Sequence, residues 1–186
     1  MQKKYIDNLR ISREKITWEG QDVPFRLGPE WLEAWQEREP GLDFDLQGPL
    51  TGVIHLEKHG NAILVRGRLA GALTLICGRC LATFPWPLAV DFDLLLEAGA
   101  LRGGGEEVEL SAADLDVDYV QGDEIDLEAI IKEQVLLALP LKPLCREDCA
   151  GLCPNCGVNR NEASCQCAEK DFSTSFAQLQ KIREPS

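Results

Sequence analysis

Between Asn61 and Cys77 the apolar side chains fall on alternate positions. Ile63, Val65, Leu69, Leu73, Leu75 and Cys77 share one parity, while Arg66, Arg68 and Thr74 occupy the other. An extended chain sends successive side chains to opposite faces, so this period of two predicts a strand with one buried and one wetter face. Gly67 and Gly71 interrupt the run and predict bulges or bends where a long strand curls. "LTGVIHLEK" before it predicts another strand, with His59 to Asn61 as the turn. After it, Trp86, Leu88, Val90, Phe92, Leu94 and Leu96 alternate with Asp91 and Asp93. Long strands in meander order joined by short turns predict an antiparallel sheet.

Two segments carry the helical period instead. "GPEWLEAWQER" (Gly28 to Arg38) places Pro29 in a first turn and Trp31 and Trp35 on one face, and packing on the sheet is the expected fate of that pair. "EIDLEAIIKEQVLLALP" is the stronger helix, expected from about Leu127 to Leu139 and stopped by Pro140. Asp126 suits its N-cap, and Ile125 with Ile130 suits a hydrophobic staple. Leu127, Ile130, Ile131, Gln134, Val135 and Ala138 form a stripe that needs a surface to cover, and the sheet supplies one. Phe172, Phe176 and Leu179 predict a short C-terminal amphipathic helix docking back on the body. The expected fold is α+β: a curled antiparallel meander covered by one main helix, with a Cys-rich zinc-binding appendage. The expected division is a body over 1–143 and a metal-binding module over 144–186.

The chain of 186 residues suits one domain with an appendage. Its start, "MQKKYIDNLRISREK", is charged throughout, so no secretory signal is expected. No apolar run approaches the roughly 18–20 residues that span a bilayer, and no membrane partner is expected. The expected location is the cytoplasm, where thiols stay reduced. Net charge is −12, and it is concentrated: Asp91 to Glu133 holds 14 acidic residues against Arg102 and Lys132, whereas the remaining charges balance. Such a field has no bulk attraction for nucleic-acid phosphates and suits a basic partner such as a ribosomal protein. The plainer reading of the same segment is a solvated acidic loop.

All eight cysteines fall in two groups, Cys77-x2-Cys80 and Cys145-x3-Cys149-x3-Cys153-x2-Cys156-x8-Cys165-x-Cys167. Clustered thiols in a reducing compartment point to metal, and C-x2-C turns deliver two sulfurs to a tetrahedral ion with little strain. "CPNCG" has knuckle features, since Pro154 stiffens the turn and Gly157 frees the backbone. The preferred division is Cys153, Cys156, Cys165 and Cys167 around one zinc ion. Cys145 and Cys149 then join Cys77 and Cys80 around a second, tying the appendage to a sheet turn. Iron in a four-thiolate centre uses similar knuckles and stays open.

Enzyme chemistry finds little support. A thioredoxin-type reading of Cys77-Gly-Arg-Cys80 wants a helix N-terminus, and here strands flank the motif. His55 and His59, the chain's histidines, are expected on the surface. Gly103 to Gly105 lacks the Gly-Lys-Ser/Thr of a phosphate loop. Structural zinc sites are closed to substrate, so no catalytic residue and no small-molecule substrate are expected.

"CGRCL" ending a strand, then "GDEIDLEAIIKEQVLLALPLKPLC", then "CAGLCPNCGVNRNEASCQC" resemble, in that order, the YceD-like family, also called the large ribosomal RNA subunit accumulation protein family. The resemblance runs from about Val53 to Cys167. It implies a role in making or stabilising the 23S RNA of the large ribosomal subunit, with no known catalytic residues. Some relatives lack the C-terminal cysteine cluster, which favours the metal module as a stabiliser. The expected function is a non-enzymatic factor in large-subunit biogenesis. Its expected partners are a ribosomal protein or pre-ribosomal particle, with rRNA contacted directly or indirectly. The alternatives are direct RNA binding and thiol-disulfide exchange at Cys77 and Cys80. Candidate RNA contacts are Lys3, Lys4, Arg10, Arg13 and Lys15, or Arg66 and Arg68.

Overall fold

The structure is a computed structural model that describes residues 9–98, 117–120 and 122–167. Along the chain run β1 (Arg10–Ser12), β2 (Gln21–Leu27), α1 (Pro29–Arg38), β3 (Phe44–Leu46), β4 (Leu50–His59), β5 (Ala62–Ile76), β6 (Thr83–Ala98), β7 (Val117–Val120), β8 (Glu124–Asp126) and α2 (Leu127–Ala138). The main sheet has the order β2-β4-β5-β6-β7, with β3 pairing the far end of β5. β1 and β8 form a separate antiparallel pair.

The alternating segments become the sheet's spine. β4, β5 and β6 are an antiparallel meander, and β5 pairs with β6 from Ala62↔Glu97 to Ile76↔Thr83 without a break. One face of β5 is fully buried at Val65, Leu69 and Leu73, and the core continues through Ile54, Leu56, Phe25, Trp35 and Ile131. Gly67 and Gly71 therefore make no bulge, the first of the two roles expected of them. At Gly67 a neighbour occupies the space of a side chain, since the Phe92 ring lies where a Cβ would stand, while at Gly71 the end of the Leu50 side chain lies close by. Phe92 is the direct cross-strand partner of Gly67.

The sheet departs from a pure antiparallel meander at its edge, where β7 pairs with β6 in parallel, Leu95↔Val117 to Ala98↔Val120. Chain length permits this, because the stretch from Ala98 to Val117 exceeds the dozen or so residues a parallel connection needs. The opposite face of the meander is wet. There Arg66 meets Asp93 at 3.3 Å and Arg68 meets Asp91 at 2.6 Å, each pair directly opposed in register.

Two helices cover the sheet. α2 buries Leu127, Ile130, Ile131, Gln134 and Val135, and Asp126 caps it by accepting the Ala129 amide at 3.1 Å. α1 buries Leu32 and Trp35 and stands beside α2, with the Trp31 indole donating to Glu128 at 3.2 Å. Trp35 is core, as expected of that face, while Trp31 is half-buried. Among the described residues no helix is long and apolar enough to cross a membrane. Lys3, Lys4, the Gly103–Gly105 run and the expected helix around Phe172, Phe176 and Leu179 lie outside the described residues.

Candidate metal centres

The turn between β5 and β6 is Cys77-Gly-Arg-Cys80. Cys77 continues the buried parity of β5 and is fully buried. Its amide donates to the Ala82 carbonyl at 2.9 Å, and the Leu81 amide donates back to the Cys77 carbonyl at 3.0 Å. The same two bonds recur further on: Cys153 donates to Val158 at 2.8 Å, and Gly157 to Cys153 at 2.9 Å. In each turn the residue after the second cysteine is left-handed, with φ of 59° at Leu81 and 73° at Gly157. CGRC and CPNC are thus the same knuckle built from different sequences. Glycine adopts that backbone freely, whereas Leu81 adopts it against steric strain.

The segment after α2 returns to the first knuckle. Gly78 donates its amide to the Pro143 carbonyl at 2.8 Å, and Leu152 donates to the Arg79 carbonyl at 3.1 Å. The Arg79 guanidinium donates to the Cys149 carbonyl at 2.9 Å and the Glu147 carbonyl at 3.3 Å. Gly151, at φ 70°, lets this crossing close, since a Cβ there would press on the Arg79 carbonyl. These contacts bring Cys145 and Cys149 beside Cys77 and Cys80.

The result is two sets of four thiols: Cys77, Cys80, Cys145 and Cys149 in one, and Cys153, Cys156, Cys165 and Cys167 in the other. Within each set every sulfur lies within 4.8 Å of the others. Cys77 and Cys149 sulfurs are 3.8 Å apart, and those of Cys80 and Cys145 are 3.7 Å apart. A disulfide would need about 2.0 Å. Four sulfurs at about 2.3 Å from a tetrahedral ion stand about 3.8 Å from one another, so the spacing fits a closed tetrathiolate site. The grouping is the one preferred from the spacing of the cysteines. The first set is largely buried, whereas Cys156 and Cys167 of the second are exposed.

The knuckles also prepare the charge such a site needs. Burial pushes the Cys77 thiol up, but the amides of Cys145, Cys80 and Arg79 outweigh it and bring the thiol to about 6. Cys153 is drawn to about 6 by the amides of Cys156 and Asn155. Burial also pushes Cys149 up, but the Asn161 side chain and the Gly151 amide outweigh it and draw it down, whereas one thiol in each set is pushed far the other way. Burial and the Cys80 thiol push Cys145 up to about 12, and Cys156 with burial does the same to Cys167. Cys77 and Cys153 thus stand ready as thiolates in their sets, and a cation would have to displace the protons of Cys145 and Cys167 on binding.

The histidines stand apart from both sets. His55 Nδ1 lies 2.8 Å from Asp22 and His59 Nε2 lies 2.9 Å from Glu57, on the sheet surface. Of the candidate RNA contacts, Arg10 meets Asp126 at 3.3 Å and Arg13 donates to the Gly122 carbonyl at 3.4 Å. Arg66 and Arg68 carry the cross-strand carboxylates already described. Sequence reasoning missed Arg79, whose side chain bridges the knuckle to the appendage, and Asn161, whose amide reaches Cys149 at 3.3 Å. Nothing local in the sequence marks either, because Arg79 acts on backbone 70 positions away and Asn161 on a sulfur 12 positions away, across a turn that forms only on folding.

The fold and the two thiol sets define a class: an α+β protein whose sheet turn and C-terminal segment meet at paired tetracysteine clusters. The family model for the large ribosomal RNA subunit accumulation protein YceD matches residues 65–183, and the chain belongs to that family. An uncharacterised protein of Mycobacterium tuberculosis is 34% identical over 135 residues, covering 73% of this chain and 58% of the relative. The chloroplastic large ribosomal RNA subunit accumulation protein YCED homolog 1 of Zea mays is 25% identical over 181 residues, covering 78% of this chain and 62% of the relative. The chain thus spans less than two thirds of the length of these relatives. No solved structure matches it.

Proposed function

We propose that this protein is a non-enzymatic, cytoplasmic factor that supports rRNA accumulation in large-subunit biogenesis, and that it acts by holding a basic ribosomal protein. Membership of a family described as large ribosomal RNA subunit accumulation protein supports the process. The observation that carries the mechanism is the pairing on the wet sheet face. Arg66 and Arg68, the best-placed cations there, are each matched by a carboxylate, Asp93 and Asp91. Exposed pairs of this kind add little stability, but they cancel the field that a phosphate backbone would need. With a net charge of −12 concentrated between Asp91 and Glu133, the molecule suits a cationic partner far better than it suits RNA.

In this reading each thiol set holds one zinc ion, with iron as the alternative, and the ions brace the fold. Four cysteines close each site, so neither keeps an open position for substrate. The first set joins the β5–β6 turn to the segment after α2; the second organises that segment itself.

Affinity capture from native lysate, with and without nuclease, tests the proposal. The expected result is a basic large-subunit ribosomal protein that stays bound after nuclease and is lost when residues 101–110 are deleted. A contact that disappears with nuclease and weakens steeply with salt overturns the mechanism in favour of direct RNA binding.

A further inference from the structure

Asn161 belongs to the stretch between Cys156 and Cys165, inside the second cluster's own loop, yet its side chain serves the first cluster. Its Oδ1 accepts from the Ala150 amide and from the Arg146 guanidinium, each at 2.7 Å. Both partners can only donate, which fixes the orientation of the side-chain amide. Its Nδ2 therefore faces the other way, donating to Cys149 Sγ at 3.3 Å and to Asn159 Oδ1 at 2.8 Å. One side chain thus touches a thiol of the first cluster and the backbone next to it, and anchors these to the loop of the second.

Backbone contacts tie the start of that loop to the segment that leads into the second cluster. Cys153 donates to Val158, Arg160 donates to Gly151 at 2.9 Å, and Leu152 bridges Asn159. An ion shared by Cys156 and Cys165 would close the loop around Asn161. Donors to ligand sulfurs fix ligand orientation and favour the thiolate, and their loss typically weakens metal binding roughly 10–100-fold.

We infer that Asn161 couples the two centres. An ion at Cys153, Cys156, Cys165 and Cys167 holds Asn161 against Cys149 and so raises the affinity of Cys77, Cys80, Cys145 and Cys149 for theirs. Linkage makes the effect reciprocal. The inference rests on the proposed metal binding and adds a consequence to it. The exposed centre controls the buried one, because a chelator that reaches Cys156 and Cys167 loosens the first site without entering it.

Zinc titration of the metal-free full chain, read by native mass spectrometry, tests this. Coupling lowers the one-zinc population below what the two separate-site constants give. Asn161→Asp keeps the oxygen that Ala150 and Arg146 use but replaces the donor to sulfur with an acceptor, and the one-zinc species should accumulate. Cys165→Ser and Cys145→Ser, which leave one site each, complete the cycle. The product of the two constants in the intact chain should exceed that of the separate sites by a factor within about 5–150, and Asn161→Asp should bring the ratio near one. A ratio near one in the unsubstituted protein overturns the coupling, and a large ratio that survives Asn161→Asp overturns the role of Asn161. Asn161→Asp keeps all eight cysteines, so an unchanged one-zinc population overturns the inference even if the serine variants do not fold. A chain that binds no zinc at all overturns the metal reading instead.

Discussion

Unfolding the sheet separates Cys77 and Cys80 from Cys145 and Cys149, and an ion held by all four must then be released. Cys80 and Cys145 are 65 positions apart, so an unfolded chain regathers the four sulfurs only against a large loop-closure entropy. Binding to the folded state alone stabilises it by RT ln(1 + [Zn]/Kd), about 1.4 kcal/mol for each tenfold change in free zinc above saturation. A thousandfold fall in free zinc should thus remove about 4 kcal/mol through the first centre. That is a large share of the roughly 5–15 kcal/mol that holds a typical domain together. The second centre lies wholly within Cys153 to Cys167 and adds to the slope only if it empties in the same transition. Urea unfolding in zinc buffers at fixed pH, followed by tryptophan fluorescence, measures this, since Trp35 is 1% exposed in the core. Stability should rise linearly with log free zinc, and Cys80→Ser should take one ion's worth from the slope. A midpoint independent of zinc refutes the reasoning, and a slope untouched by Cys80→Ser moves the ion away from the first set.

Gly67→Ala should destabilise the sheet by about 1–3 kcal/mol, because its methyl group meets the Phe92 ring, and Phe92→Leu should recover part of this in urea melts. Asp126→Ala should cost about 1 kcal/mol through loss of the α2 cap, read by the same melts. The metal-free protein should gain stability as pH rises from 6 to 9. Over that window Cys77 and Cys153, drawn to about 6 from an ordinary value near 9, are deprotonated in the folded chain but not in the unfolded one. This contribution is lost as pH falls through 6. Above pH 9 the sign reverses, since Cys145 and Cys167, pushed up to about 12, keep their protons in the folded chain after the unfolded one has lost them. Urea midpoints across this range check both limbs, and a fall between pH 6 and 9 contradicts the first.

Alternation made the meander legible, because a half-buried strand must repeat every two residues and β5 does so from Ile63 to Leu75. The helical stripe of α2 was legible for the same reason at its own period. The bulge expected at Gly67 does not form, because local pattern does not distinguish a bulge from space left for a cross-strand ring. β2 went unread although Val23 and Phe25 alternate there; Pro24, which demotes a strand in sequence, is tolerable because β2 is an edge. The parallel pairing of β7 depends on which edge a long connection reaches, which no short window encodes. The cysteine grouping was readable from knuckle spacing, but the sulfur donors were not. Asn161 and the Cys145 amide reach their sulfurs only after the appendage has closed on the hairpin.

Metal content of the purified protein, joined to X-ray absorption at the metal's edge, tests the central claim that two tetracysteine centres brace this fold. The account predicts two ions per chain, each with four sulfurs at about 2.3 Å and no nitrogen or oxygen neighbour. Chain free of bound metal, or ions held by mixed oxygen and sulfur shells, would contradict it.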